Sequence, residues 1–131
     1  MTDRNTTEAA ARRWVAAYEN AWKTNEPDDI RALFTDDAAY FTQPWGEPWA
    51  GADAIVAGWL DARDEPGTYE FEWEIAGVDG HRVFVDARTD YAASGEEQPD
   101  GRTYRNLWVI DLDEDGRARA FTEWYMKQPR G

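Results

Sequence analysis

Residues 68–91 alternate with a period of two, and no other feature of the chain restricts its fold as much. In 68–78, Tyr69, Phe71, Trp73 and Ile75 alternate with Glu70, Glu72 and Glu74. In 82–91, Val83, Val85, Ala87, Thr89 and Tyr91 alternate with Arg82, Phe84, Asp86, Arg88 and Asp90. Successive side chains of a strand point to opposite faces, so each segment is predicted as a strand with one dry and one wet face. Asp79-Gly80 between them reads as a hairpin turn. The wet faces set acids against arginines, as antiparallel pairing favours. Two further strands are predicted at 103–113 and 117–126, joined by the turn Glu114-Asp115-Gly116.

The first half has a different period. Trp14, Tyr18 and Trp22 recur every four residues with Ala10, Ala17 and Ala21 beside them, while Arg12, Arg13, Glu19 and Lys23 fall off the stripe. That pattern predicts a helix over 5–24, opened by a capping pair of Asn5 and Glu8. Pro27 suits the first turn of a short second helix running through Ile30, Leu33 and Phe34, with Asp36-Asp37 ending it. A strand follows at 38–42, then a loop at 43–51 broken by two prolines and two glycines. Ile55, Val56, Trp59 and Leu60 mark a third helix at 52–62. Residues 65–67 are expected to turn, 94–101 to form a polar loop, and the tail from 127 to fray. Helices gathered ahead of an antiparallel meander give an α+β layer fold in one domain, a curved sheet closing over a helix as a cone with an open mouth.

Composition narrows the function. The 131 residues carry a formal charge of −13, which argues against nucleic acid and anionic membranes as partners. There is no cysteine, so disulfides, thiolate metal sites and cysteine nucleophiles are excluded. The N-terminal sequence has no apolar signal core, and no apolar run reaches the ~18 residues of a membrane span, so a cytoplasmic protein is expected. Neither metal nor cofactor is expected: no acid and histidine cluster has ligand spacing, and there is no glycine-rich phosphate loop. His81, the only histidine, follows the Asp-Gly turn and reads as a solvated turn residue. The 8 tryptophans, 6 tyrosines and 5 phenylalanines need either a deep core or a cavity wall to cover them.

The element order, together with AWKTNEPDDIRALFTDDAAYFTQPWGEPWAGADAI and YRNLWVIDLDEDGRARAFTEWYM, resembles the nuclear transport factor 2-like superfamily and, within it, the SnoaL-like proteins. The shared marks are the aromatic stripe on the first helix, an I-x-x-L-F-x-D-D block, a G-x-x-A-I helix start and a final D-x-D-G-R hairpin. The resemblance implies a cystatin-like cone whose concave sheet face and first helix line a pocket. Carried over residue by residue, the helical side of the lining is Trp14, Tyr18, Trp22, Phe34 and Trp59, with Tyr40 and Thr42 on the first strand. The meander adds Phe71, Trp73, Val85, Tyr91, Tyr104, Asn106, Trp108, Phe121, Glu123 and Tyr125. Trp45 and Trp49 are placed near the mouth. Leu107 and Val109 leave the outer face apolar, which points to a subunit interface, and dimers are common in the superfamily, so a homodimer is expected.

Among the lining residues Glu123 has the most chemical content. It alternates with Phe121 and Tyr125, so it is expected to face the rings, where desolvation raises a carboxyl pKa and prepares a general acid or base. Tyr40 and Asn106 are its candidate partners. The spacing of Tyr18 resembles that of the enolate-stabilising tyrosine of ketosteroid isomerases, but the positions of that family's two acids hold Thr42 and Trp108. In the limonene epoxide hydrolases the comparable pattern is Tyr40-x-Thr42-x-Pro44, an Arg88-x-Asp90 pair and a final acid at Glu123. The strand period puts Arg88 and Asp90 on the wet face, so a β-bulge would be needed to bring them inside. The expected function is binding of a small apolar or aromatic molecule, with acid–base chemistry at Glu123 or, alternatively, as a non-catalytic binding or oligomerisation domain.

Overall fold

The computed structural model describes residues 4–65, 67–93 and 101–129. Helices α1 (Arg4–Thr24) and α2 (Pro27–Arg31) come first, then strands β1 (Phe34–Phe41) and β2 (Trp49–Ala50), helix α3 (Ala52–Asp61), and four long strands: β3 (Tyr69–Asp79), β4 (Arg82–Tyr91), β5 (Arg102–Leu112) and β6 (Ala118–Lys127). All six strands form one sheet in the order β2-β1-β6-β5-β4-β3. The meander is antiparallel throughout, but β1 runs parallel to β6, so the sheet is mixed.

α1 lies across the concave face and seals it with Trp14, Val15 and Tyr18, while Ile30, Phe34, Ile55, Val85, Ile110 and Phe121 complete the core. Asn25 ends α1 in the left-handed region at φ 52°, its amide donating to Ala21 O at 2.8 Å. Its side chain then ties α1 to the end of α3: Oδ1 accepts from Trp59 Nε1 at 3.2 Å and Nδ2 donates to Asp64 O at 3.3 Å.

Several sequence expectations need correction. α1 starts at Arg4, which puts Asn5 inside the first turn and not at a cap. α2 stops at Arg31, and Phe34 opens a strand instead of closing a helix, because Ala118 donates to Leu33 O at 2.8 Å and draws the chain into the sheet. Trp49 and Ala50, placed in a loop by their prolines and glycines, add a two-residue strand against Tyr40 and Ala39. Glu72 lies opposite Arg88 and Asp79 opposite Arg82, but Glu70 and Glu74 lie opposite Asp90 and Asp86. The compensating cations come from elsewhere, Arg105 pairing with Asp86 at 3.0 Å and Arg88 with Asp90 at 3.1 Å. The loop predicted at 94–101 falls almost entirely outside the described residues, as do 130 and 131; the tail does not fray from 127, since Lys127 ends β6 and Gln128 donates to Thr103 O at 2.8 Å.

Candidate functional site

The wide end of the cone stays open as a cavity of about 310 Å³. Tyr18 and Trp22 of α1 form one wall, Tyr40, Thr42 and Trp49 a second, and Trp59, Ala62, Arg63 and Asp64 at the end of α3 a third. The sheet supplies Thr89 and Tyr91 from β4, Tyr104, Asn106 and Trp108 from β5, and Glu123 and Tyr125 from β6, with Arg102 at the mouth. Its size and its mixture of rings with a few polar groups are those of a small-molecule site.

The inner wall carries a polar relay. Thr89 Oγ1 donates to Asn106 Oδ1 at 2.9 Å, and Asn106 Nδ2 donates to Glu123 Oε1 at 3.0 Å. Strand register makes this possible: Glu123 lies directly opposite Trp108, and Asn106 opposite Ala87, two residues from Thr89 and on the same face of β4. Glu123 borders the cavity with part of its side chain, yet its Oε2 is fully buried and has no hydrogen-bond partner. Trp108 Nε1, on the paired residue, is likewise buried without a partner. Burial pushes Glu123 from its usual 4.5 up to about 8, against a lowering by the Asn106 amide and by the Trp108 indole N–H, which acts on the carboxyl without closing a well-formed hydrogen bond. Such a carboxyl holds its proton at neutral pH far more firmly than a solvated glutamate does.

Across the cavity Tyr18 and Tyr40 share a hydroxyl–hydroxyl bond of 2.9 Å. Burial holds both well above the ordinary tyrosine value, and the nearby Glu123 charge raises them further, so both stay protonated donors at neutral pH. Tyr91 is raised as well, first by burial and then by the Asp64 charge.

The sequence model of the SnoaL-like domain family matches residues 11–124. The chain belongs to the SnoaL-like family. Three solved structures resemble this SnoaL-like domain over most of both chains. An NTF-2 like protein of unknown function from Burkholderia xenovorans LB400 aligns with a TM-score of 0.70 at 17% identity, covering 95% of this chain and 88% of that one. An ntf2-like protein of unknown function from Mesorhizobium loti gives 0.67 at 17%, covering 96% and 97%. An LEH-like epoxide hydrolase of M. tuberculosis gives 0.65 at 21%, covering 91% and 84%. At these identities the likeness concerns the fold. No curated protein matches the sequence.

Many residues expected on the lining border the cavity, and others do not. Trp14, Phe34, Val85 and Phe121 are buried in the core beneath it, where α1 closes the narrow end of the cone. Phe71 stacks on Trp108 at 5.1 Å and Trp73 donates its indole N–H to Glu19, both under α1, which runs directly over β3. Trp45 is 78% exposed and touches none of the cavity, whereas Trp49 stacks on Tyr40 at 4.9 Å. The strand period identifies the correct face in each case but not the depth along the cone. Arg88 and Asp90 pair with each other on the outer face, and β4 runs against β5 from Arg82 to Tyr91 without a bulge, so that pair is absent from the cavity.

Five cavity residues, Ala62, Arg63, Asp64, Thr89 and Arg102, went unrecognised in the sequence. Thr89 had a usable signal, a polar residue at an inward strand position. Arg63, Asp64 and Arg102 had none, since charged residues beside loops ordinarily face solvent. Asp64 Oδ2 accepts from Trp22 Nε1 at 3.1 Å and from the Tyr91 hydroxyl at 3.4 Å. Among the described residues no group of histidines and acids could hold a metal ion, and no helix is long and apolar enough to cross a membrane.

Proposed function

We propose that this SnoaL-like domain binds a small aromatic molecule in the cone and moves a proton on it with Glu123. The observation that carries this reading is a carboxyl with a pKa of about 8 on the wall of a ring-lined cavity. Such a group donates a proton below that pH and accepts one above it, so one residue serves as acid or base near neutrality. Asn106 holds the carboxyl in place through Oε1, and in the Tyr18–Tyr40 hydroxyl pair the member that accepts from the other keeps its own proton to donate to a developing negative charge. With Arg88 and Asp90 on the outer face, an epoxide-hydrolase arrangement of arginine and two acids is not the one supported here.

A probe that needs only a base tests this directly. In 5-nitrobenzisoxazole a carboxylate removes the ring C–H proton, the N–O bond breaks and a coloured nitrophenolate is released. The rate is expected to rise with pH and level off above about 8, as the deprotonated form of Glu123 fills. Glu123→Gln is expected to lose about 10²–10⁴-fold. An unchanged rate in that variant would remove Glu123 from the chemistry. A second reading, binding without turnover, is favoured by one observation: Oε1 is occupied by Asn106 and Oε2 is covered. Fluorescence titration showing tight binding of neutral naphthalenes, with no base-catalysed turnover at any pH, would select it.

We also infer a homodimer through the convex face. Leu107 and Trp124 are directly paired there and, with Met126, leave apolar surface in water at 40%, 50% and 74% exposure. Adjacent large apolar side chains at this exposure mark an interface. Light scattering is expected to give twice the chain mass, and Trp124→Arg to give the single chain. A monomeric parent protein would refute the assignment.

A further inference from the structure

The charged residues at the mouth are unequally satisfied, and the inequality gives the ligand a sign. Asp64 already accepts two hydrogen bonds at Oδ2, from Trp22 and Tyr91. Arg102 has no such partner among the described residues. It lies opposite Tyr91 in the β4–β5 ladder, its guanidinium carbon 4.3 Å from the centroid of that ring and 6.0 Å from that of Tyr104. Stacking on a ring fixes a guanidinium but leaves its N–H donors unspent. Among the described residues Arg102 forms no ion pair, and neither does Arg63, which turns back to its own helix at Leu60 O. Glu123 at the floor is protonated below about pH 8 and adds no opposing charge there. The cavity thus joins an aromatic interior to an oriented cation at its entrance that forms no ion pair among the described residues, on a molecule whose net charge is −13.

We propose that the cavity selects aromatic carboxylates, the rings entering among Trp22, Trp59 and Trp108 while the carboxylate stays at the mouth on Arg102. This rests on reading the cone as a small-molecule site and specifies the ligand class. A planar fork of N–H donors matches a carboxylate in geometry as well as charge, which is why arginine and not lysine suits such a position.

Three probes with one ring system separate the possibilities: 2-naphthoate, neutral 2-naphthamide and cationic 2-naphthylmethylammonium, titrated by tryptophan fluorescence at pH 6.5 and low salt. The naphthoate is expected to bind about tenfold or more tighter than the amide, as a charge-assisted hydrogen bond implies, and the ammonium most weakly. Arg102→Gln is expected to weaken naphthoate binding about tenfold more than amide binding, and Arg102→Lys to fall between. Equal affinity for naphthoate and amide in the parent protein would overturn the carboxylate assignment and leave the aromatic site standing. Preference for the ammonium would overturn it too, making Asp64 the group that sets the sign. Equal weakening of both probes by Arg102→Gln would reduce Arg102 to a packing residue and also overturn it. Failure of all three probes to bind would remove the small-molecule site itself.

Discussion

Glu123→Gln is expected to stabilise the folded domain, by an amount that grows with pH. In the folded protein the carboxyl keeps its proton up to about 8, whereas in the unfolded chain it releases it near 4.5. Between those values the folded state binds more protons than the unfolded one, so raising the pH favours unfolding. The slope is about 1.4 kcal/mol per pH unit from this one group. Below the unfolded value both states are protonated and the cost vanishes; above the folded value it is complete, at up to about 5 kcal/mol. Glutamine has the same shape, cannot ionise, and keeps an oxygen for the Asn106 amide. Urea unfolding of both proteins at pH 5, 7 and 9 is expected to give nearly equal stabilities at pH 5 and a widening advantage for the variant above it. Curves that stay parallel across that range would mean that the carboxyl is solvated, and its assignment as an acid–base group would go with them. A total stability of about 5–15 kcal/mol is usual for a domain. A measured difference of this size between Glu123→Gln and the parent protein would mark Glu123 as a group retained against stability.

The reason Glu123 was legible in the sequence also explains why its neighbours were not. A glutamate between Phe121 and Tyr125 breaks an otherwise apolar strand face, and strand periodicity then assigns it a direction without any knowledge of the fold. The same reasoning recovered the dry faces of β3, β4 and β5 and located all four strands of the meander to within a residue or so of their ends. It failed where position depends on partners distant in the chain. Phe34 reads as helical because Ile30, Leu33 and Phe34 have helical spacing, and only the bond from Ala118 to Leu33 draws it into β1. Trp49 and Ala50 have no strand signature of their own and become a strand by lying against β1. Asp64 and Arg102 are brought to one mouth by the return of the α3–β3 connection over the end of the sheet. No spacing within either segment encodes that meeting. Local pattern thus gave the faces, and long-range closure of the cone decided which part of each face remains open.

Depth along the cone is also what separates two tryptophans that the aromatic pattern treats alike, and a pair of substitutions should separate them in opposite directions. Trp14 is 3% exposed, packs against Tyr18, Phe34, Trp108 and Phe121 at centroid distances of 5.5–6.4 Å, and donates its indole N–H to Leu33 O at 2.8 Å. Trp14→Ala is expected to cost about 3–5 kcal/mol for the void. The Leu33 carbonyl would lose a partner at the bend where α2 gives way to β1, adding about 1 kcal/mol. That approaches the whole stability of a small domain, so Trp14→Phe, which keeps most of the packing, serves as the folded comparison. It is expected to lower the urea midpoint while changing the affinity for 2-naphthamide by less than about twofold, because Trp14 does not border the cavity. Trp49 does border it, stacked on Tyr40 and lying so close to Gly58 that a Cβ there would sit 2.4 Å from the indole. Trp49→Ala is expected to move the midpoint little, since the residue is only partly buried at the end of a two-residue strand, and to weaken 2-naphthamide several-fold by opening the wall. If Trp14→Phe instead weakened binding as much as Trp49→Ala, the boundary between core and cavity drawn along α1 would be misplaced.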